Sequence, residues 1–212
     1  MKKLIPLLFA GALLATACEK LPDTDNLDNN YLVYTNYDDA TDFKKFSTFY
    51  VPDSVLIIDN SSNKPKYLYG TPASDIIIAN YVSGMEKAGF VRTTDKESAD
   101  LGLQISYIED TYRFRYFNDY PWWYGYPWYW NTGYWGNWGG WYWPYNITYS
   151  YSTGSILGEL VDLSDTPNAT KTLRVVWTSY ITGLLNSNGS LNTSYVQKAI
   201  DQAFVQSTYL KK

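Results

Sequence analysis

The sequence predicts an α+β domain made of one largely antiparallel sheet with two helices packed on one face. Two observations support this prediction. Short segments rich in β-branched and aromatic residues recur along the chain, and only two segments show the apolar spacing of an amphipathic helix. One helical segment follows the first strands and the other closes the chain, an order typical of α+β folds. A Trp/Tyr/Gly-rich segment interrupts the strands and is predicted to form an irregular insertion.

The first strands and the first helix are indicated by local composition. Thr71 is a good N-cap residue, Pro72 suits the first helical position, and Gly89 suits the C-terminal end of the same helix. The strands predicted before this helix span 31–37, 46–51 and 55–58. The apolar stripe predicted for the helix consists of Ile78, Tyr81, Val82, Met85 and Ala88.

The later strands carry alternating patterns, and the last helix has its own cap. In the strand after the first helix, one face is predicted to hold Leu101, Leu103 and Ile105, and the other Asp100, Gly102, Gln104 and Ser106. Two more strands follow the aromatic segment, the first over 156–163. The second is predicted to place Leu173, Val175, Trp177 and Ile181 on one face and Arg174, Thr178 and Tyr180 on the other. Asn192 or Thr193 is predicted to cap a final helix with the stripe Val196, Ile200, Ala203 and Phe204.

The first 18 residues have the layout of an exported bacterial lipoprotein. Two lysines precede the apolar run 4–14, which is too short to span a bilayer, because spanning takes about 20 residues. Small residues then lead to Cys18, the only cysteine of the chain. The segment 14–18 resembles a lipobox, in which the cysteine thiol receives diacylglycerol before cleavage, although Ala15 stands where leucine is usual. Ordinary secretion with cleavage after Ala17 is the alternative.

The chain is therefore expected to have three parts. Residues 1–17 are predicted to be a signal peptide, 18–30 a lipidated cysteine with an acidic tether, and 31–212 a single domain with an aromatic insertion over 112–151. Loss of residues 1–17 removes two of the 17 positive charges and leaves 15 against 21 negative ones, a net charge of −6. This acidic balance argues against a nucleic-acid partner. The expected location is the outer membrane or cell surface, with the lipid holding the protein on the membrane.

The composition also limits the chemistry of the domain. The chain has no histidine, and its one cysteine is assigned to the lipid, so Ser–His, Cys–His and most zinc chemistry are excluded. We expect no cofactor, no metal and no enzymatic activity. The remaining candidates for a hydrolase are two carboxylate pairs near strand ends, Glu109 with Asp110 and Asp162 with Asp165. Acids in such places are usually solvated turn residues.

The segment 120–145 has the most unusual composition in the chain. Fifteen of its 26 residues are Trp or Tyr, five are Gly and three are Pro, and no charged residue occurs over 120–158. Trp and Tyr offer flat amphipathic area that stacks on sugars, packs on partner proteins or lies among lipid headgroups. We therefore expect a contact surface that contributes little to folding; the alternative is a low-complexity loop that folds back on the domain. The candidate ligand contacts are Trp122, Trp123, Trp128, Trp130, Trp135, Trp138, Trp141 and Trp143.

Four short motifs occur along the chain in a recognisable order. They are Asp42-Phe43 leading to Phe49-Tyr50, the run 99–103, the strand 154–163 ending in Val161-Asp162-Leu163, and the run 175–178. Together they resemble domain-of-unknown-function family 4136, a family of bacterial envelope lipoproteins. The resemblance covers about residues 31–208 apart from the aromatic segment, and it implies a location and a fold but no established activity.

These observations lead to one functional prediction with two alternatives. The leading prediction is a lipid-anchored envelope protein that binds a partner or has a structural role, without catalysis. Its partners are then the membrane, through the N-terminal lipid, and a glycan or an envelope protein. The first alternative is glycan recognition through the aromatic segment, and the second is a carboxylate-dependent hydrolase.

Overall fold

A computed structural model of the chain describes residues 31–59, 66–109, 135, 140–142, 144–145, 153–164 and 172–212. Within these residues, nine strands form one mixed sheet that carries two α-helices. The strands are β1 (Leu32–Tyr37), β2 (Thr48–Tyr50), β3 (Ser54–Ile58), β4 (Lys66–Tyr69), β5 (Val91–Arg92), β6 (Leu101–Ile108), β7 (Gly140–Tyr142), β8 (Ser155–Asp162) and β9 (Thr172–Thr182). The helices are α1 (Pro72–Lys87) and α2 (Thr193–Gln206). The predicted α+β class is confirmed.

The sheet has the order β1-β9-β8-β6-β2-β5. In addition, β3 pairs with β6, β4 pairs with β3, and β7 pairs with β9. The three longest pairings, β1 with β9, β9 with β8 and β8 with β6, are antiparallel. The parallel pairings involve two or three residue pairs each. The sheet is therefore largely antiparallel, as predicted. By contrast, β4, β5 and β7 contain only two to four residues, too few for a periodic pattern to predict them.

Both helices begin at caps that the sequence indicates. The Thr71 hydroxyl accepts a hydrogen bond from the Ser74 N–H at 3.1 Å, and the Ser74 hydroxyl accepts one from the Thr71 N–H at 3.0 Å. At α2 the cap is Asn192, whose side chain accepts from the N–H groups of Ser194 and Tyr195. Gly89 follows α1 with a φ of +102°, a conformation that costs glycine little. Neither described helix is long and apolar enough to cross a membrane.

The two helices share one hydrophobic core with the same face of the sheet, here called the helix face. Its central side chains are fully or almost fully buried, and they come from α1, α2, β6, β8 and β9. They include Ile77, Tyr81, Met85, Leu101, Leu103, Ile105, Ile156, Leu160, Trp177, Ile181, Val196 and Ile200. The prediction that both helices lie on one face of the sheet is confirmed.

The predicted face assignment of β9 is wrong at its N-terminal end. The register between β8 and β9 shifts so that Leu160 lies opposite Trp177 while Val161 lies opposite Val175, and Val176 is the extra residue of a β-bulge. This bulge places Leu173 and Val175 on the face opposite Trp177, and it turns Arg174 away from Thr178 and Tyr180. Alternation alone misses it, because one inserted residue reverses every side chain beyond it.

Asp100 connects the beginning of β6 to β2. Its carboxylate accepts hydrogen bonds from the Ser47 N–H at 2.6 Å, the Thr48 N–H at 2.9 Å and the Thr48 hydroxyl at 3.2 Å. Burial would raise the pKa of Asp100, but these hydrogen bonds and the positive charge of Lys212 hold the pKa below its ordinary value. The ionised form of Asp100 is therefore the form that stabilises the fold.

Asp100→Asn is expected to lower the free energy of unfolding at pH 7 by about 1–2 kcal/mol, a modest loss because part of the carboxylate is in solvent. A depressed pKa in the folded state contributes stability above the unfolded pKa of about 3.9, and this contribution disappears as the pH falls through the folded pKa. Urea titrations from pH 7 to pH 3 should therefore show the two proteins converging. Asp53→Asn is the control, because Asp53 is largely exposed. If Asp100→Asn lowered the free energy of unfolding by the same amount at pH 7 and at pH 3, the prediction would be contradicted.

Candidate functional site

The face of the sheet that points away from both helices, here called the second face, is also buried. An antiparallel sheet covered on one side commonly leaves its other side polar and in water. Here the second-face side chains of the central strands have almost no solvent exposure. They are Gln104 and Ser106 on β6, Leu157, Glu159 and Val161 on β8, and Val175, Thr178 and Tyr180 on β9. This face is therefore covered, and Trp135 and Tyr145 of the aromatic segment belong to the cover.

Four polar residues form a line straight across the second face, here called the polar row. The strand registers place Asn36 opposite Thr178, Thr178 opposite Glu159, and Glu159 opposite Gln104. Glu159, in the middle of the sheet, is only 1% exposed. Buried polar side chains persist in proteins when they have hydrogen-bonding partners, so such a row favours a cover that carries polar atoms as well as apolar area.

Trp135 supplies one such partner. The side chain is 5% exposed, and its indole N–H donates to Gln104 Oε1 at 3.3 Å. The ring lies directly over Gly102, where even a methyl group would overlap the indole and the side chain of Val161. The Tyr50 ring meets the indole edge-on, with ring centroids 6.1 Å apart. Trp135 is thus packed into a site that the glycine keeps open.

Tyr145 supplies a second partner, at Thr178. Its hydroxyl and that of Thr178 lie 2.7 Å apart, within hydrogen-bonding distance. Just before it in the chain, β7 pairs in parallel with the first residues of β9, from Thr172 to Arg174. Trp and Tyr bring large apolar rings together with one polar group each, which is the combination that a half-polar buried face requires.

These contacts change the interpretation of the aromatic segment. Of the predicted ligand contacts, Trp135 is an interior residue and Trp141 lies in β7, while Trp122, Trp123, Trp128, Trp130, Trp138 and Trp143 fall outside the described residues. Contact between these indoles and a ligand stays a prediction. The segment was expected to contribute little to folding, but Trp135 is buried, β7 pairs with β9, and the Tyr145 hydroxyl lies within hydrogen-bonding distance of Thr178. The alternative that the sequence offered, a loop that folds back on the domain, describes Trp135, β7 and Tyr145 better.

The sequence analysis did not predict the polar row, although the sequence contains two residues that point to it. Glu159 is a charged residue inside the otherwise apolar run 156–161, and Gln104 has a similar position in β6. Taken alone, each residue fits the solvent side of an alternating strand. Only the strand registers bring these two residues together with Thr178 and Asn36.

One of the carboxylates considered for hydrolysis has a clear structural role. Asp162 is 4% exposed and accepts hydrogen bonds from Ser164 and from the Arg174 guanidinium, the latter at 3.2 Å. The same guanidinium donates to the buried Asp38 at 3.1 Å. The two carboxylates and the arginine thereby hold together β8, β9 and the end of β1. Glu109 is exposed at the end of β6, while Asp110 and Asp165 fall outside the described residues.

Tyr81 reaches the sheet near Glu159 from the helix side. Its ring covers Gly158, and its hydroxyl lies 2.8 Å from Ser179 Oγ. Burial, together with the charge of Glu159, raises the pKa of Tyr81, and the Ser179 hydrogen bond offsets only part of this rise. The phenol therefore stays neutral and acts as a packing residue. In the described part of the chain, no three acidic, cysteine or histidine side chains are arranged to hold a metal ion.

These features define a class of protein: an α+β domain with a single helix layer and a second sheet face covered in part by aromatic residues. The chain belongs to the family described as domain of unknown function DUF4136, whose profile matches residues 33–207. The resemblance inferred from the short motifs is thereby confirmed.

The chain is similar to a crystal structure of a DUF4136 family protein from Bacteroides thetaiotaomicron. The two are 50% identical, the match covers 87% of this chain and 99% of that one, and the TM-score is 0.76. Two crystal structures of the PelC dodecamer from Paraburkholderia phytofirmans are also similar, at 12% and 14% identity. Each match covers 85% of this chain and 97% of the PelC chain. Because the TM-score is only 0.39, these structures support no inference about the fold or the assembly of this protein. No curated protein matches the chain.

Proposed function

We propose that this protein is a lipid-anchored protein of the bacterial envelope that binds a partner or has a structural role and does not catalyse a reaction. One observation carries the proposal: the sole cysteine, Cys18, follows a basic and apolar leader and a run of small residues. Covalent lipid at this position accounts for a cysteine in an exported chain that has no second cysteine to pair with. The proposed location is the outer membrane or cell surface.

The arrangement of charged groups supports a role without catalysis. Asp38 and Asp162 are both engaged with Arg174, so neither is available as an acid or base without breaking an ion pair. Catalytic pairs of carboxylates are usually placed on either side of a substrate. In this cluster the two carboxylates share one guanidinium, which joins β8, β9 and the end of β1.

Glycan recognition is the second candidate, and exposed tyrosines favour it. Tyr67 and Tyr69 on β4 are 44% and 71% exposed, and both lie on the second-face side of that strand. Exposed tyrosine rings suit stacking on sugars. Retention on a polysaccharide matrix that is lost in Tyr69→Ala, with no change in stability, would favour this candidate over a purely structural role.

The lipid anchor is tested at Cys18. The wild-type protein is expected to partition into detergent and to yield an N-terminal peptide that carries acyl chains at Cys18. Cys18→Ala is expected to abolish this partitioning, either because the precursor stays uncleaved or because the mature protein is released. Mass spectrometry of the N-terminal peptide decides the matter. An unmodified N-terminus at Cys18 or Glu19 would falsify the anchor and indicate ordinary secretion.

A further inference from the structure

One edge of the sheet exposes apolar and aromatic side chains next to the point where the tether enters. Leu32 and Tyr34 on β1 are 56% and 42% exposed, and both lie on the second-face side of the strand. Pro144 is exposed and Tyr145 partly exposed beside the same edge, because β7 and β1 follow one another along β9. We call Leu32, Tyr34, Pro144 and Tyr145 the anchor edge.

The strand segments that form the anchor edge carry no charge. There is no charged residue over 31–37, 140–145 or 175–197, the segments that form and flank it. The mature chain as a whole is nevertheless acidic, so its charges are concentrated elsewhere. A neutral strip that contains tyrosine rings is typical of residues that lie at the level of lipid headgroups, where the ring meets the acyl boundary and the hydroxyl stays in water.

The length of the tether determines what this edge can reach. Residues 18–30 make 13 residues between the cysteine and Tyr31, which directly precedes β1. Thirteen residues span at most roughly 45 Å when fully extended. A lipid at Cys18 would therefore keep the start of β1 within roughly 45 Å of the bilayer. A short tether gives the edge a high effective concentration at the bilayer surface. Even a weak affinity for the interface is then sufficient to orient the domain.

We propose that the anchor edge lies in the headgroup layer of the membrane that holds Cys18, so that the domain rests on the bilayer along β1. This inference rests on the proposed lipid anchor. Interfacial aromatic residues bind zwitterionic lipid without help from charge, and the acidic mature chain gains nothing from anionic lipid. Docking is therefore expected on phosphatidylcholine, with little dependence on ionic strength. It leaves β4, with Tyr67 and Tyr69, on the side of the sheet far from the bilayer, because β1 and β4 lie at opposite edges.

The test uses the lipidated full-length protein with one added cysteine. Because the Cys18 thiol carries the lipid, Leu32→Cys supplies the only free thiol for a fluorophore. Tyr69→Cys and Val205→Cys are matched controls, since these positions are 71% and 63% exposed and lie on the opposite edge and on α2. Each labelled protein is incorporated into phosphatidylcholine vesicles that contain a fraction of lipid with a nitroxide quencher at the headgroup. We expect quenching at position 32 to be roughly twofold or more above both controls, as for residues at the interface.

Two measurements distinguish the docking of β1 from the lipid anchor. Flotation of the protein with the vesicles reports the anchor alone. Flotation with equal quenching at all three positions, or with more quenching at 69 or 205 than at 32, would overturn the docking of β1 and leave the anchor intact. If the protein fails to float, the anchor itself fails, and this inference fails with it.

Discussion

Trp177→Ala is expected to lower the free energy of unfolding by about 3–5 kcal/mol, the range for removal of a fully buried large aromatic. Trp177 has no solvent exposure and lies on the helix face of β9, where its ring centroid is 5.4 Å from that of Phe204 on α2. Its indole N–H donates to Ser207 Oγ at 2.8 Å. The substitution therefore leaves a cavity between sheet and helix and removes a buried hydrogen bond at the end of α2.

Equilibrium unfolding in urea, followed by far-UV circular dichroism, measures this loss. Trp177→Phe is the informative control, because it keeps an aromatic ring in the core and removes the hydrogen bond to Ser207 together with a small part of the ring volume. We expect it to cost about 1–2 kcal/mol. An alanine variant with the same free energy of unfolding as the wild type would mean that Trp177 is exposed and that the bulged register of β9 is wrong.

Trp135→Ala is expected to cost about 3–5 kcal/mol as well, although Trp135 belongs to the segment with the least regular composition. The indole is 5% exposed, occupies the space above Gly102 and donates to Gln104. Its removal would expose apolar side chains of the second face and leave the buried amide of Gln104 without its indole partner. Burial of an unsatisfied polar group adds to the cavity cost.

The same urea titration tests Trp135, with Pro144→Ala as the control from the same segment. Pro144 is exposed, so its substitution should change stability by no more than about 0.5 kcal/mol. Replacement of residues 121–144 by a Gly/Ser linker should be at least as destabilising as Trp135→Ala, because it removes both Trp135 and β7. If the linker variant unfolded like the wild type, the segment would serve only as a surface, and its assignment to the interior would be refuted.

Much of the candidate site depends on relations that a linear pattern does not contain. The composition of the aromatic segment is unusual, and so is the position of Glu159 within an apolar strand. The strand register aligns Gln104, Glu159 and Thr178 in one row. Gln104 then lies beneath Trp135, and Thr178 lies beneath Tyr145. Registers depend on pairings between residues far apart in the chain, so local composition cannot specify them.

The sequence by itself determined the local elements of this protein. The start of α1 at Thr71 and Pro72, the alternation of β6 and the Asn192 cap of α2 all depend on interactions within a few residues, so short windows are sufficient to predict them. The tertiary structure alone decided the bulge at Val176 and the burial of the second face. Both result from packing between distant segments: the bulge relates β9 to β8, and the burial of Glu159 requires a cover that no property of its own strand predicts.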